Sequence, residues 1–427
     1  MSIAESANIS DSLDHLYRHE YGKLVSVLTR AFGTSNIQLA EDVVHDAMHD
    51  ALKTWAFSGV PENPVGWIYA VARNKAANIL KREKHKRDYA VTAIDQSESN
   101  FFLESSMDLI FTDDEIADDQ LRMIFTCCHP SISSDSQVAL TLKTLCGLSI
   151  PEIANAFLTT EENINKRLVR ARKAIRVANI PFEVPTGRAL ESRMVGVLEV
   201  IYLLFNEGYN SSVGDELIRA ELCQEAVRLA EIIVQNPNVN SSNTFALMAL
   251  MLLNGARFSS RVDEFNNIID LSNQDRGKWD REMIQKGLQY LEYATAQNEV
   301  SLYHILATIS AHHCTAASYE STDWEGILSL YDMLRELDTS PIVLLNRAVV
   351  LSKTGGVEVA LKQLEAIEGD PVIKSYLPFY ITRAELYYQN SKFDDAKKSL
   401  RQALALTDDS RRIDLINSRL ADCSEES

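Results

Sequence analysis

The chain has 427 residues, 46% of them hydrophobic, and a formal net charge of −18. This length predicts two or three domains with packed cores. No run of about 18 apolar residues occurs, which excludes a membrane-spanning helix, and the first residues lack the apolar segment of a secretion signal. The six cysteines are too sparse for a disulfide framework, so a reducing cytoplasm is the expected location.

The distribution of charge limits how the chain can bind nucleic acid. Residues 1–186 sum to −6 and residues 187–427 to −12, so both parts are acidic. Any contact with DNA must therefore use local basic strips, because the overall charge repels phosphate.

Two helices are predicted first, at Leu13–Phe32 and Ile37–Trp55, separated by a Gly-Thr-Ser-Asn break. One face of the second helix is apolar and much of the remainder is acidic. That acidic surface is either simply solvated or a docking face for a basic or polar partner. His45 and His49 have a metal-ligand spacing, but no third ligand is evident and no metal is expected. The candidate docking residues are Glu41, Asp42, Asp46 and Asp50.

A basic, aromatic helix is predicted next, at Val65–Arg87, after a loop with glycine and two prolines at Ala56–Pro64. Aromatic rings beside positive charges suit contact with phosphates and stacking on unpaired bases. The alternative is that Trp67 and Tyr69 belong to the core and that the basic end is solvated.

A change in composition follows this helix. Residues 88–118 are rich in acids and are predicted to be a linker, with a short apolar anchor at Phe101–Leu103. A second helical unit is predicted to begin near Asp119 and to end with a helix-turn-helix at Leu148–Arg176. Thr160 is the expected N-cap of its last helix, and Ala154 is small where the two helices cross.

The last helix of this motif is strongly basic, and no acid occurs between Asn163 and Pro181. Such a helix can neutralise DNA phosphates while its N-terminal residues reach base edges in the major groove. The alternative is a solvated basic helix in an ordinary bundle. The cations are Lys166, Arg167, Arg170, Arg172, Lys173 and Arg176.

The C-terminal part, from about residue 187, contains an internal repeat that is clearest at residues 340–407. The segments beginning SPIVLLNRAVVL and LPFYITRAELYY align at an offset of 36, with Ala348 matching Ala384 and Ala360 matching Ala396. Small residues on both helices of a pair are what tetratricopeptide (TPR) helices need for close packing. An α-solenoid is therefore expected here.

Motifs for catalysis are lacking. There is no phosphate-binding loop and no G-x-S-x-G, and the clusters Cys127–His129 and His312–Cys314 lack paired ligand spacing. No role is assigned to Asn206–Tyr209. We therefore expect no enzyme activity, no cofactor and no metal.

The order of these parts resembles the extracytoplasmic-function class of bacterial sigma-70 factors. The resemblance is carried by LAEDVVHDAMHDALKTW and NPVGWIYAVARNKAANILKR, which are similar to sigma region 2, and by the helix-turn-helix, which is similar to region 4. FTCCHPSISSDSQVALTLKTLCGLSIPEIANAF and YLLFNEGY resemble the subgroup with a long TPR-like C-terminal extension. One departure is Leu158, which stands where many region 4 turns have glycine.

This resemblance implies roles for individual residues. The acidic helix implies docking on the clamp helices of core RNA polymerase through Glu41, Asp42, Asp46 and Asp50. The linker implies a path through the nucleic-acid channel of polymerase. Implied contacts with the −10 promoter element are Trp67, Tyr69, Arg73, Asn74, Lys75, Lys81 and Arg82. Implied contacts with the −35 element are Glu161, Glu162, Asn163, Asn165, Lys166, Arg167, Arg170, Arg172 and Lys173.

The sequence therefore predicts an all-α sigma factor that brings core RNA polymerase to particular promoters. Its expected parts are region 2 at 11–87, the linker at 88–118, region 4 at 119–180 and the TPR-like extension at 187–427. The extension is expected to bind a protein or to dock on the sigma domains and control them. The alternative function is a polymerase-independent helix-turn-helix regulator or a TPR scaffold.

Overall fold

A computed structural model of the chain describes residues 3–88, 113–157, 159–209, 220–261, 263, 269–296, 299–407 and 410–425. Every regular element in these ranges is a helix, which confirms the all-α prediction. None of the helices in these ranges is long and apolar enough to cross a membrane. The chain divides into two compact units, Met1–Asn240 and Ser241–Ser427.

The N-terminal block of the first unit contains three long helices, α1 (Ile3–Phe32), α2 (Ile37–Ser58) and α3 (Pro64–Asp88). The predicted helices are confirmed, although α1 begins about ten residues before the expected start. Their shared core is fully buried and includes Leu24, Leu28, Trp55 and Ile68. A 3₁₀ turn at Thr34–Asn36 replaces the predicted break between α1 and α2.

The helix-turn-helix block consists of α4 (Asp113–Cys127), α5 (Ser134–Thr144), α6 (Ile150–Ala156) and α7 (Glu161–Ala178). Helix α4 begins six residues before the expected start at Asp119. The predicted acidic linker, including the anchor Phe101–Leu103, falls mostly outside the described residues, and so does Leu158. Ser149 caps α6 through a reciprocal capping box with Glu152.

Two further helices, α8 (Arg188–Tyr209) and α9 (Ala220–Gln235), also belong to the first unit. The Arg193 guanidinium donates to the Phe125 carbonyl oxygen of α4 and lies 5.5 Å from the Phe125 ring centroid. The apolar face of α8 is buried at Met194, Val197 and Leu198. The division between compact units thus falls some fifty residues after the boundary expected near residue 187.

The second unit is a succession of helices. They are α10 (Ser242–Gly255), α11 (Arg281–Thr295), α12 (Leu302–Thr315), α13 (Trp324–Leu337), α14 (Pro341–Thr354), α15 (Val357–Ile367), α16 (Pro371–Lys374), α17 (Leu377–Gln389), α18 (Phe393–Leu404) and α19 (Ser410–Glu425). The pair α14–α15 and the pair α17–α18 carry the predicted repeat. Ala348, Ala360, Ala384 and Ala396 are all buried, as close helix packing requires.

A matching ion pair also repeats at an offset of 36. Arg347 Nε lies 2.7 Å from Asp332 Oδ1, and Arg383 Nη1 lies 2.5 Å from Glu368 Oε1. Each arginine also donates to a glutamine of its own helix pair, Gln363 and Gln402 respectively. The repeat therefore extends from apolar packing to the polar contact that joins one helix pair to the preceding one.

Candidate nucleic-acid interface

Helix α7 lies on the helix-turn-helix block with one apolar face inward. Ile164, Leu168, Ala171 and Ile175 are buried, which confirms the predicted apolar stripe. Thr160 caps the helix as predicted, since its hydroxyl oxygen accepts from the backbone N–H of Asn163. The opposite face of α7 is consequently directed to solvent.

That solvent face carries most of the predicted DNA contacts. The exposed residues are Glu161, Glu162, Asn165, Lys166, Arg170, Lys173 and Arg176. Lys166 Nζ lies 2.8 Å from Glu162 Oε1, but both side chains are more than half exposed. Such surface pairs contribute little and break easily, so Lys166 remains available to a phosphate.

Three predicted contacts are less accessible. The Asn163 side chain donates to Thr159 Oγ1 over 2.7 Å. Arg167 Nη2 lies 3.4 Å from Asp135 Oδ2 at the start of α5. Arg172 is turned away from the solvent face and binds Glu41 of α2, with 2.5 Å between Nη2 and Oε2. The Arg172 side chain thus contacts α2, whereas the side chain of its neighbour Arg170 is exposed to solvent.

Helix α3 presents a mixed surface. Asn74 and Arg82 are exposed, while Arg73 and Lys81 are half-buried. The half-buried Trp67 ring lies edge-on to the buried Trp55 ring, with centroids 5.5 Å apart.

Two further side chains of α3 are engaged inside the N-terminal block. The Tyr69 hydroxyl donates to Glu20 Oε2 over 2.9 Å, and Lys75 Nζ lies 2.8 Å from Asp50 Oδ2. The half-buried side chains of Trp67 and Tyr69 therefore each lie partly in the core and partly at the surface.

An apolar surface that the sequence reasoning missed surrounds the loop between α2 and α3. Phe57 is 95% exposed, and Leu52, Val60 and Val65 are also exposed. An aromatic side chain in almost full contact with water suits stacking on an unpaired base. The available signal was an aromatic residue in the Gly- and Pro-containing loop, where no core position was expected.

The acidic face of α2 is only partly open. Asp42 and Asp46 are exposed as predicted, and Asp50 is half-buried beside Lys75. Glu41 is only 3% exposed, so it does not share the surface position of Asp42. Burial raises the pKa of Glu41, although the charges of Arg172 and Lys143 act in the opposite direction.

The N-terminal and helix-turn-helix blocks also meet at the Leu145 carbonyl group, just after α5. Gly22 of α1 lies so close that an added Cβ would be 2.1 Å from the Leu145 oxygen. Arg228 of α9 donates to the same oxygen over 3.1 Å. Three parts of the first unit therefore converge at one peptide group.

The cysteines of the helix-turn-helix block lie in its core. Cys127 Sγ is 3.2 Å from Thr144 Oγ1, and burial raises the pKa of the Cys128 thiol to about 12. Protonated thiols in such surroundings behave as small apolar side chains.

Comparison with known proteins places both blocks in one family. The model of sigma-70 region 2 matches residues 16–86, and the model of sigma-70 region 4 matches residues 122–175. An uncharacterized protein of Rhizobium meliloti (strain 1021) is 34% identical over 396 residues, which are 90% of each chain.

The chain belongs to the sigma-70 family. The region 2 match includes most of α1 and α3 and all of α2, and α6 with α7 is the helix-turn-helix of region 4. A model described as a family of unknown function, DUF6596, matches residues 193–295 and thus crosses from the first compact unit into the second. No solved structure matches the chain significantly.

Proposed function

We propose that this protein is a cytoplasmic sigma factor of the extracytoplasmic-function class, and that it directs core RNA polymerase to specific promoters. The observation that carries the proposal is that one sigma-70 chain has both an open, basic face on α7 and a basic-aromatic surface on α3. A regulator that only bound DNA would have no use for the second surface. The sigma-70 family acts in transcription initiation rather than in enzymatic catalysis.

The −35 element is read by the solvent face of α7. Lys166, Arg170 and Lys173 project from this face and can contact phosphates or guanine edges. Asn165 near the N-terminus of the helix can reach a base edge in the major groove. Arg172 has no part in this reading while it binds Glu41.

The −10 element is opened and read by the loop between α2 and α3 and by the exposed edge of α3. Phe57 and Trp67 provide aromatic surface for unpaired bases. Arg82 and Asn74 lie exposed further along α3 and can follow the strand.

Core polymerase docks on the acidic face of α2, chiefly through Asp42 and Asp46, which are exposed and adjacent on one helix face. The C-terminal extension regulates this event. Its first helices support such a role, because Arg193 and Arg228 reach carbonyl groups of region 4 and Arg18 of α1 pairs with Glu221 of α9.

The test is run-off transcription with purified core polymerase on a genomic library, with the wild-type chain and with Asp42→Lys/Asp46→Lys. The variant should lose both core binding and transcripts while its circular dichroism stays unchanged. The matched control is Glu191→Lys/Glu199→Lys, which reverses two exposed acids of α8. Absence of specific transcripts with the wild-type chain, or equal core binding by both double variants, would contradict the proposal.

A further inference from the structure

Two arginines of the second unit lie against one buried tryptophan. Trp279 is 3% exposed, and its Nε1 donates to Ser260 Oγ over 2.7 Å. The guanidinium carbons of Arg257 and Arg276 lie 5.5 Å and 4.6 Å from the centroid of the Trp279 ring. The ring thus brings two positive charges close together where water is largely excluded, since Arg257 is only 9% exposed.

The partners of both arginines in the described structure are neutral groups. Arg257 Nε and Nη2 both donate to Gln274 Oε1, each over 3.4 Å. Arg276 Nη1 donates to the carbonyl oxygens of His313 and Ala316, over 2.7 Å and 2.8 Å. No carboxylate among the described residues forms an ion pair with either guanidinium group. Arginines removed from water are ordinarily paired with an acid, because an uncompensated charge there is costly.

Capping of α12 explains only part of this arrangement. A cation at the C-terminus of a helix is favourable, and Arg276 Nη1 fulfils that role. Arg276 Nη2 and His313 Nδ1 are nevertheless buried, and neither has a hydrogen-bond partner among the described residues. Burial, followed by the charges of Arg257 and Arg276, lowers the pKa of the His313 ring to about 4. The ring is therefore neutral at pH 7, and one of its nitrogens can donate a hydrogen bond.

The side chain of Gln274 takes the place of an anion beside Arg257. Its amide oxygen accepts from two nitrogens of one guanidinium edge, as an oxygen of a phosphate or carboxylate does. The distances exceed the roughly 2.7–2.9 Å of charge-assisted hydrogen bonds. Gln274 is half-buried, and Nε2 donates over 3.0 Å to the Ile269 carbonyl oxygen. A negatively charged oxygen would bind the guanidinium edge more strongly than this neutral amide does.

We propose that Arg257, Arg276 and His313 bind a small, doubly charged oxyanion of the phosphate type, which displaces the Gln274 amide oxygen. Two guanidinium groups balance two negative charges, and their planar forks match the oxygens of phosphate and sulfate. The neutral imidazole supplies one further hydrogen bond. A bound anion joins the connection between α10 and α11 to the end of α12. These residues all lie in the second unit, so the inference does not rest on the proposed function.

Isothermal titration calorimetry of the full-length protein with inorganic phosphate tests the site, in a chloride buffer of physiological ionic strength. Arg257→Gln and Arg276→Gln should each weaken binding about tenfold or more, because each removes a hydrogen bond to a charged group. Gln274→Glu keeps both arginines but places a carboxylate at the same guanidinium edge, so it should weaken binding by a similar factor. Melting curves followed by circular dichroism establish which variants fold.

Two controls locate the bound phosphate. Arg401→Gln removes an exposed arginine of α18 in the same unit and should bind phosphate as the wild type does. Arg170→Gln tests the exposed face of α7, the other basic surface on which phosphate could bind. Sulfate has the same shape and charge and should displace phosphate, whereas the singly charged acetate should bind much more weakly.

Absence of saturable phosphate binding would overturn the site, and so would equal binding by the wild type, the two arginine variants and Gln274→Glu. Loss of binding in Arg170→Gln alone would assign the phosphate to α7 and would also overturn the site. Equal affinity for acetate would contradict a doubly charged ligand. A failure of promoter or core-polymerase binding would count against the proposed function and would leave these titrations unaffected.

Discussion

Gly22 lies against the Leu145 carbonyl oxygen. The substitution Gly22→Ala should therefore destabilise the first unit if regions 2 and 4 touch in solution and stabilise it if they do not. Gly22 lies inside α1, and the substitution Gly22→Ala places a Cβ 2.1 Å from that oxygen. Both groups belong to backbone, so neither can rotate away. The two regions would have to move apart by about 1 Å, a strain comparable with overpacking of a core.

Two opposing free energies set the magnitude. Alanine is favoured over glycine inside a helix by about 1 kcal/mol, whereas overpacking costs about 1–3 kcal/mol. Because backbone meets backbone here, the upper value applies and the expected net loss is about 2 kcal/mol. The matched control is Gly196→Ala in α8, where a Cβ would meet its nearest atom, Gln137 Oε1, at 3.7 Å. That variant should gain up to about 1 kcal/mol.

The assay must read the first unit separately, because a chain of two units need not unfold in one step. Hydrogen exchange followed by mass spectrometry on peptides from α1, α5 and α8 gives local opening free energies. Exchange should accelerate in Gly22→Ala and slow or stay unchanged in Gly196→Ala. If Gly22→Ala protects its own helix as well as Gly196→Ala does, the regions are apart in solution and the reasoning about their junction is refuted.

Three further predictions concern other parts of the chain. Arg170→Ala should weaken binding to a promoter fragment by about 1–3 kcal/mol if Arg170 contacts a base. If Arg170 contacts a phosphate, binding should weaken equally for all sequences and depend less steeply on salt. Anisotropy titrations in which the variant binds as tightly as the wild type at every salt concentration would contradict this. Burial, with the charges of Arg257 and Arg276, lowers the pKa of His313 to about 4, so the unfolded ring takes up a proton first as pH falls below about 6.5. Between pH 7 and pH 5 the second unit should lose about 2 kcal/mol of unfolding free energy that His313→Gln does not lose, as measured by urea denaturation. A chain ending at residue 240 should keep the melting temperature of the first unit, whereas one ending at residue 185 should melt lower, because removal of α8 uncovers the surface that Met194 and Leu198 cover; equal melting of the two chains would count against α8 as part of that unit.

The helices could be predicted because their signals are local. The buried stripe of α7, the cap at Thr160 and the small residue Ala154 each follow from neighbours within a few positions. The repeated alanines of the second unit were equally legible, since periodic packing leaves a periodic pattern.

The partners of individual charges could not be predicted. Arg170 and Arg172 are two residues apart, about 200° around a helix, and only the packing of region 4 on region 2 decides which one faces water. The same packing hides Glu41 and exposes Asp42. Phe57 was missed although it stands in the predicted loop Ala56–Pro64, because the sequence does not show whether an aromatic side chain there faces water.

The stretch matched by the DUF6596 model, residues 193–295, begins inside the first compact unit and ends inside the second. Recombination that joined a foreign tail at the end of region 4, near residue 187, would remove Arg193 and Arg228. The Phe125 and Leu145 carbonyl oxygens would then lose the guanidinium groups that donate to them. A join near residue 240 would preserve those contacts but would divide the matched stretch. The sigma regions and the start of the extension are thus expected to be inherited together, and hybrid factors built by exchanging tails should retain α8 and α9 from the parent that supplies region 4.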